Sequence, residues 1–369
     1  MRVFQKISNK DESSISFTEF VKSLYLGILG REVDNSGLNV YVNALQKNIP
    51  LADVIRAILN SEEFKSNQSV QYNQSTTLIN TISLPDLTEL FPNKYLRKDA
   101  ESSVFEVVSD DDYTFMESLI IKNRYYDSFG VWAPVIDLDK RVTAAIVQGL
   151  SAQSCLELGC FTGQVLSLLA EQGIDVCGVE ISHLAFLLAY PNIHNQIRFG
   201  SLLELTFDKC FDVFLGMDIL EHVNPLDLDK YIIRIAQLVN TNGFIYINSP
   251  MFGEDDIFGT VFEAYLPEWQ HAGENNYWRH MHCDSKGWPM HGHLIWGSPK
   301  WWESMFLKHG LVRERKIEKA IHAKLNPFFD KYAPARKSLF VLRHASFNPN
   351  VEKTCRNLDT AISLALNNV

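Results

Sequence analysis

Between residues 151 and 250, short apolar runs alternate with amphipathic stretches: SCLELG, VLSLLAEQG, DVCGVEI, HLAFLLAY, IRFGS, CFDVFLGM, LDKYIIRIAQLV and GFIYINSP. A strand covered by helices on both faces is apolar throughout, and successive parallel strands need a crossover that a helix supplies. The alternation therefore predicts a doubly wound α/β sheet. At the end of the first run stands Glu157-Leu158-Gly159-Cys160-Phe161-Thr162-Gly163. Glycines there let the backbone approach a ligand, and the next helix presents unpaired amides. The loop has neither the GxGxxG of a pyrophosphate-binding fold nor the GK[ST] ending of a P-loop, and Glu157 would repel phosphate. A ligand with a cationic amino-acid end suits it better. Glu180 ends the second strand run, where an acidic residue can grip two ribose hydroxyls.

Together these residues resemble the class I S-adenosylmethionine-dependent methyltransferases. The likeness continues through Gly200-Ser201-Leu202 after the third strand, FDVFLGMDILEHV on the fourth and LVNTNGFIYINSP leading into the fifth, and spans roughly residues 140–345. It implies a Rossmann-like seven-stranded sheet with the last strand antiparallel, and S-adenosyl-L-methionine as cofactor. By this resemblance Glu157, Gly159, Cys160, Phe161 and Gly163 would face the methionine part and Glu180 the ribose. Ile181, Ser201 and Leu202 would lie at the adenine, with Met217 and Asp218 beside the transferring methyl. Many relatives carry Asp where this chain has Ser201, so base recognition would fall to the hydroxyl or to backbone groups.

Methyl transfer needs an aligned nucleophile that is unprotonated at attack, and a base can provide this. His222 follows the fourth strand, on the side where open parallel sheets bind substrates; in relatives the Glu-His pair is also a structural feature at a helix start. An insert after the fifth strand is dense in Tyr277, Trp278, His280, His282, His291, His293 and Trp296. His293 precedes an SP-initiated helix and could face substrate, and His280 is a third catalytic candidate. Because His280, His282 and Asp284 alternate, an extended chain would place them on one face, with His291, His293 or Glu254 able to complete a metal site. The spacing matches no recognised zinc motif, and no metal is assigned. Stacking rings beside hydrogen-bonding groups suit a sugar, or a lid over the cofactor. Upstream, Tyr125, Tyr126 and Trp132 are candidates for substrate contact.

Residues 12–66 carry apolar positions at helical spacing, among them Phe17, Val21, Leu24, Leu45, Val54 and Ile58. The wording LYLGILGREVDNSGLNVYVNALQ resembles a small bacterial helical module of unassigned function, similar to the phycobilisome linker repeat. It implies a docking or spacer unit with a possible protein partner. The expected organisation is an all-α module over 1–66, a polar linker over 67–98, a methyltransferase domain over 99–345 and a helical tail over 346–369. A net charge of -10 argues against nonspecific nucleic-acid binding. No apolar run is long enough to span a bilayer and no leader is evident, so the cytoplasm is expected. The six cysteines form no CxxC pair.

The functional expectation is an O-methyltransferase acting on a sugar hydroxyl of a bacterial cell-surface polysaccharide. Its rivals are an inactive methyltransferase-fold scaffold and a methyltransferase of a small-molecule or quinone acceptor. A nicotinamide-dependent oxidoreductase is disfavoured by the missing GxGxxG.

Overall fold

The computed structural model describes residues 32–47, 84–127, 135–182, 188–272 and 279–367, with isolated positions between 17 and 61 and at 185–186. Two compact units emerge, Met1–Ser83 with Ser128–Ala133, and Leu84–Asp127 with Pro134–Val369. In the first, helix α1 (Asn35–Gln46) starts at Asp34, whose carboxylate accepts from Gly37 N at 2.8 Å. That cap satisfies a backbone donor the helix cannot. Val21, Leu24, Leu45, Val54 and Ile58 are buried, as their spacing predicts, whereas Phe17 is exposed.

The second unit opens with α2 (Leu87–Leu90), β1 (Tyr95–Lys98), β2 (Ser102–Glu106) and α3 (Asp111–Lys122). Then come α4 (Leu138–Gly149), β3 (Ser154–Leu158), α5 (Gln164–Glu171), β4 (Asp175–Glu180), β5 (Ile197–Phe199), β6 (Phe211–Met217), α6 (Leu228–Leu238) and β7 (Val239–Asn248). An insert carries β8 (Glu254–Asp255), β9 (Gly259–Thr260), α7 (Pro267–Ala272) and β10 (His280–Asp284). The chain closes with α8 (Pro299–Lys308), β11 (Leu311–Arg313), α9 (Arg315–Tyr332), β12 (Leu339–His344) and α10 (Val351–Asn367).

The main sheet has seven strands in the order β11-β12-β7-β6-β3-β4-β5. From β7 to β5 the neighbours are parallel, and β12 runs antiparallel between β7 and β11. β3 sits centrally, with Leu158 opposite both Val179 and Gly216. One face buries Val142, Ile146, Leu166, Ile321 and Leu358, and the other Leu228, Ile232, Ile235, Trp302 and Phe306. Helices on both faces explain the uninterrupted apolar strands.

One assignment differs from the sequence reading. Residues 84–98 read as linker, yet they form α2 and β1, and β2 pairs with β10 of the distant insert, His280 opposite Glu106. The resulting three-stranded sheet has its own core, including Phe105, Tyr113, Met116, Trp269 and Trp288. It forms a cap built from two chain segments. β11 stops at Arg313, because Ile317, Ile321, Leu325 and Phe328 form a buried helical stripe along α9. The tail belongs to the main core: α10 buries Leu358 and Ile362, and a Cβ on Gly149 would lie 2.7 Å from Leu358 Cα.

That contact predicts that Leu358→Ala costs ~2 to 5 kcal/mol in urea unfolding, through lost burial and a residual cavity. A change under about 0.5 kcal/mol would show that α10 lies outside the cooperative unit.

Candidate active site

The first glycine loop takes its shape from the tip of β4. Gly159 N and Cys160 N both donate to Val179 O, at 2.9 and 3.2 Å. The Glu180 carboxylate accepts from Phe161 N at 2.8 Å, Ile181 N at 2.8 Å and Ser182 N at 2.7 Å. Gly159 and Gly163 have φ of +65° and +77°, which glycine adopts without steric cost. Any Cβ at Gly159 would also stand 2.6 Å from Ile219 Cδ1.

Glu157 is the penultimate residue of β3, its side chain is buried, and Oε2 has no hydrogen-bond partner. Burial pushes this carboxyl up to about 8, Lys140 pulls against the rise, and the charge of Glu180 adds to it. An orphaned buried acceptor beside a glycine loop fits the ammonium of an amino-acid ligand. The other cofactor candidates divide. Ile181 is 51% exposed at the strand tip, available to a flat ring. Ser201 Oγ lies 3.2 Å from Tyr231 OH and accepts from Leu203 N. Leu202 and Cys160 are core side chains, so they have only backbone to offer a ligand, and Met217 packs against the core.

Beyond β6, Asp218 adopts φ +50° and pairs with Arg336 at 2.6 Å. The next turn carries Glu221 and His222. Glu221 is wholly buried, accepts from Ser249 Oγ at 2.8 Å, and leaves Oε1 without a hydrogen bond, 3.9 Å from His293 Nε2. Its backbone carbonyl receives Leu294 N and Ile295 N at 2.8 and 2.9 Å, which seats His293 over it. His222 Nδ1 lies 3.1 Å from Gly292 O and 3.3 Å from Tyr126 OH, and Tyr126 also donates to Gly292 O. A carbonyl can only accept, so Nδ1 carries the proton and Nε2 the lone pair. Burial drives His222 down to about 4, against opposing pulls from Gly292 O and Asp218. Burial likewise pushes Glu221 up, and it pushes His293 down together with His222 and His291.

The structure thus brings His222 and His293 together, with ring centroids 4.9 Å apart, and places His280 elsewhere, on the cap strand β10. His280, His282 and Asp284 do alternate with buried Met281 and Cys283. They do not converge on a metal: His282 meets Tyr265 OH at 2.6 Å, and Asp284 Oδ1 receives Lys286 N and Trp288 N. Among the described residues, the donor cluster able to hold a cation is Glu221, His222 and His293, whose ligand atoms lie within 4.8 Å of one another. Tyr277, Trp278 and Trp132 lie outside the described residues. Ser249 and Arg336 escaped the sequence reading, and Glu221 entered it only as the structural partner of His222. Nothing local marked the first two.

Residues 136–312 match a family model described as a methyltransferase domain. This part of the chain is a methyltransferase domain. Residues 4–68 match a domain of unknown function, DUF4214. The ubiquinone biosynthesis O-methyltransferase of Rickettsia canadensis (strain McKiel) is 25% identical over 135 residues, 35% of this chain and 56% of that protein. The protein of the same name from Pelagibacter ubique (strain HTCC1062) is 28% identical over 130 residues, 33% of this chain and 52% of its own. The chain spans about half the length of the curated relatives it matches. Among solved structures, 1,6-didemethyltoxoflavin-N1-methyltransferase of Burkholderia thailandensis, with bound S-adenosylhomocysteine, is similar at 16% identity. That match covers 69% of this chain and 100% of the other, with a TM-score of 0.41. An amino pentose methyltransferase of Micromonospora echinaspora, with bound S-adenosylmethionine, gives 13%, 61%, 96% and 0.39 in the same order.

The unpartnered Glu157 yields a prediction of opposite signs. Its folded value lies above the ordinary one, so its stabilising contribution is full below about pH 4.5 and is lost as pH rises through about 8. Glu157→Gln should raise the stability of ligand-free protein by roughly 2 to 4 kcal/mol at pH 8 and by little at pH 4.5, while weakening cofactor binding. Unfolding at both pH values checks the first part and calorimetric titration the second. A pH-independent difference would refute the burial argument.

Proposed function

We propose that the chain transfers a methyl group from S-adenosylmethionine to a hydroxyl of a small acceptor, with His222 as the proton acceptor. The observation that carries this reading is the contact of His222 Nδ1 with Gly292 O, an acceptor, which assigns the proton to Nδ1 and leaves Nε2 as the basic nitrogen. Hydroxyls are protonated at neutral pH and need such a base. When bound, the cofactor supplies an electrophilic sulfonium methyl. Glu157 would hold its ammonium, Glu180 its ribose, and Ile181 with Ser201 its adenine. Tyr126 and Gly292 hold the imidazole in place, and Asp218 favours the imidazolium formed when Nε2 takes the hydroxyl proton. His293, backed by Glu221, forms the adjoining wall.

His222→Ala should lower kcat about 100-fold with cofactor affinity retained. A group near 4 is already deprotonated at pH 7, so kcat/KM should stay level from pH 8 to 6 and fall only toward pH 4. An acid limb near 6.5 would assign the base to another group.

For the acceptor, the finer reading is a sugar hydroxyl in bacterial cell-surface polysaccharide biosynthesis. Exposed Tyr265 and His291 and half-buried His282 suit it, offering ring faces beside hydrogen-bonding groups. A small-molecule or quinone acceptor is the second reading, favoured by the relatives named as ubiquinone biosynthesis O-methyltransferases. Mass spectrometry of surface glycan and quinone pools, with and without the protein, separates them. One missing methyl on a defined sugar supports the first, the same loss in the quinone fraction supports the second, and binding without turnover supports an inactive scaffold. The N-terminal module, with the likeness to the phycobilisome linker repeat read from its sequence, would dock a protein partner. No described helix is long and apolar enough to cross a membrane, in keeping with the cytoplasmic setting proposed here.

A further inference from the structure

Arg336 lies on a single turn, Pro334–Lys337, that leads into β12, and it is 7% exposed. Its guanidinium joins three elements. Nη1 donates to Asp218 Oδ2 at 2.6 Å and to Asn248 Oδ1 at 2.5 Å, and Nε donates to both Asp139 oxygens, at 3.2 and 3.1 Å. Those partners stand after β6, at the end of β7 and in the first turn of α4. A planar fork with fixed donor directions constrains all three at once, which a flexible ammonium cannot.

The constraint reaches the cofactor pocket through Asp218. Its φ of +50° is unfavourable for a residue with a Cβ, so surrounding contacts must hold it. Asp218 N donates to Asn248 O at 2.8 Å, and Arg336 grips both side chains. The next residue, Ile219, lies against Gly159 so closely that no side chain fits there. Asn248 continues the chain of contacts: Nδ2 donates to Ser338 O at 2.6 Å, Ser338 Oγ to Ser249 O at 2.7 Å, and Ser249 Oγ to Glu221.

We propose that Arg336 is a positioning residue of the cofactor pocket, holding the Asp218 turn and Ile219 against the first glycine loop. The inference rests on the methyltransferase reading. It is tested by calorimetric titration of S-adenosylhomocysteine into the full chain as wild type, Arg336→Met and Arg336→Lys, with unfolding curves recorded for each. Expected results are wild-type binding, affinity at least about tenfold weaker in folded Arg336→Met, and partial recovery in Arg336→Lys, which restores charge but not the fork. A folded Arg336→Met with a lowered Tm and wild-type affinity would make the residue purely structural and overturn the proposal. If Arg336→Met does not fold, Arg336→Lys and Asp139→Asn carry the test, and wild-type affinity in both overturns it. Failure of the wild type to bind would remove the methyltransferase reading itself, an outcome distinct from binding unaltered by substitution.

Discussion

A single carboxylate, Glu180, receives three backbone N–H groups and thereby ties the loop after β3 to the tip of β4. Amides in a tight loop must find acceptors, and those inside a ligand pocket cannot all turn to water. Phe161 N goes to Glu180, while Gly159 N and Cys160 N go to Val179 O. The loop is therefore shaped by its neighbour strand before any ligand arrives. Parallel pairing of β3 with β4 sets the register that makes this possible, and the buried helices on both faces hold that pairing.

The acceptor side depends on a second junction, between the sheet and the cap. Tyr126 comes from the segment before α4 and Gly292 from the insert after β7, yet both meet at His222 Nδ1. Asn224 Nδ2 donates to Glu117 on α3 at 2.7 Å, a further tie between the turn after β6 and the cap. The tautomer of the proposed base is thus a property of the assembled cap and not of the strand that carries it. Trp269 and Trp288, both wholly buried, give the cap the packing that keeps those contacts in register.

Local patterns made the sheet, the glycine loop, Glu180 and the His222 turn legible, because each is written in consecutive residues with one dominant constraint. The cap was hidden for the opposite reason. Residues 84–98 read together with the polar stretch before them, although Leu87 is buried with Leu84, Phe91 and Tyr95 packed on the cap core, and the third strand beside β2 is β10, from far along the chain. His280 drew attention through composition, but its strand partner places it on the cap, apart from the His222 and His293 pair. Leu202 and Cys160 occupy motif positions whose backbone faces the loop while their side chains fill the core. A motif fixes a position along the chain before it fixes which way the side chain turns.

The acids of the site fall into two groups according to whether they make a direct ion pair with Lys or Arg. Asp139 is held below its ordinary range by Arg336 and Lys140 despite its burial, and Asp218 shares the same guanidinium. Glu157 and Glu221 each keep an oxygen without a partner, and burial raises both. A buried carboxyl in that state is stable only while neutral, so a ligand that brings its own positive charge can ionise it and gain an ion pair in a dry setting. A neutral ligand gains nothing comparable. Under the proposed function Glu157 would favour a ligand with a cationic amino-acid end, and its lack of a hydrogen bond at Oε2 goes with a lower stability of the ligand-free fold near neutral pH.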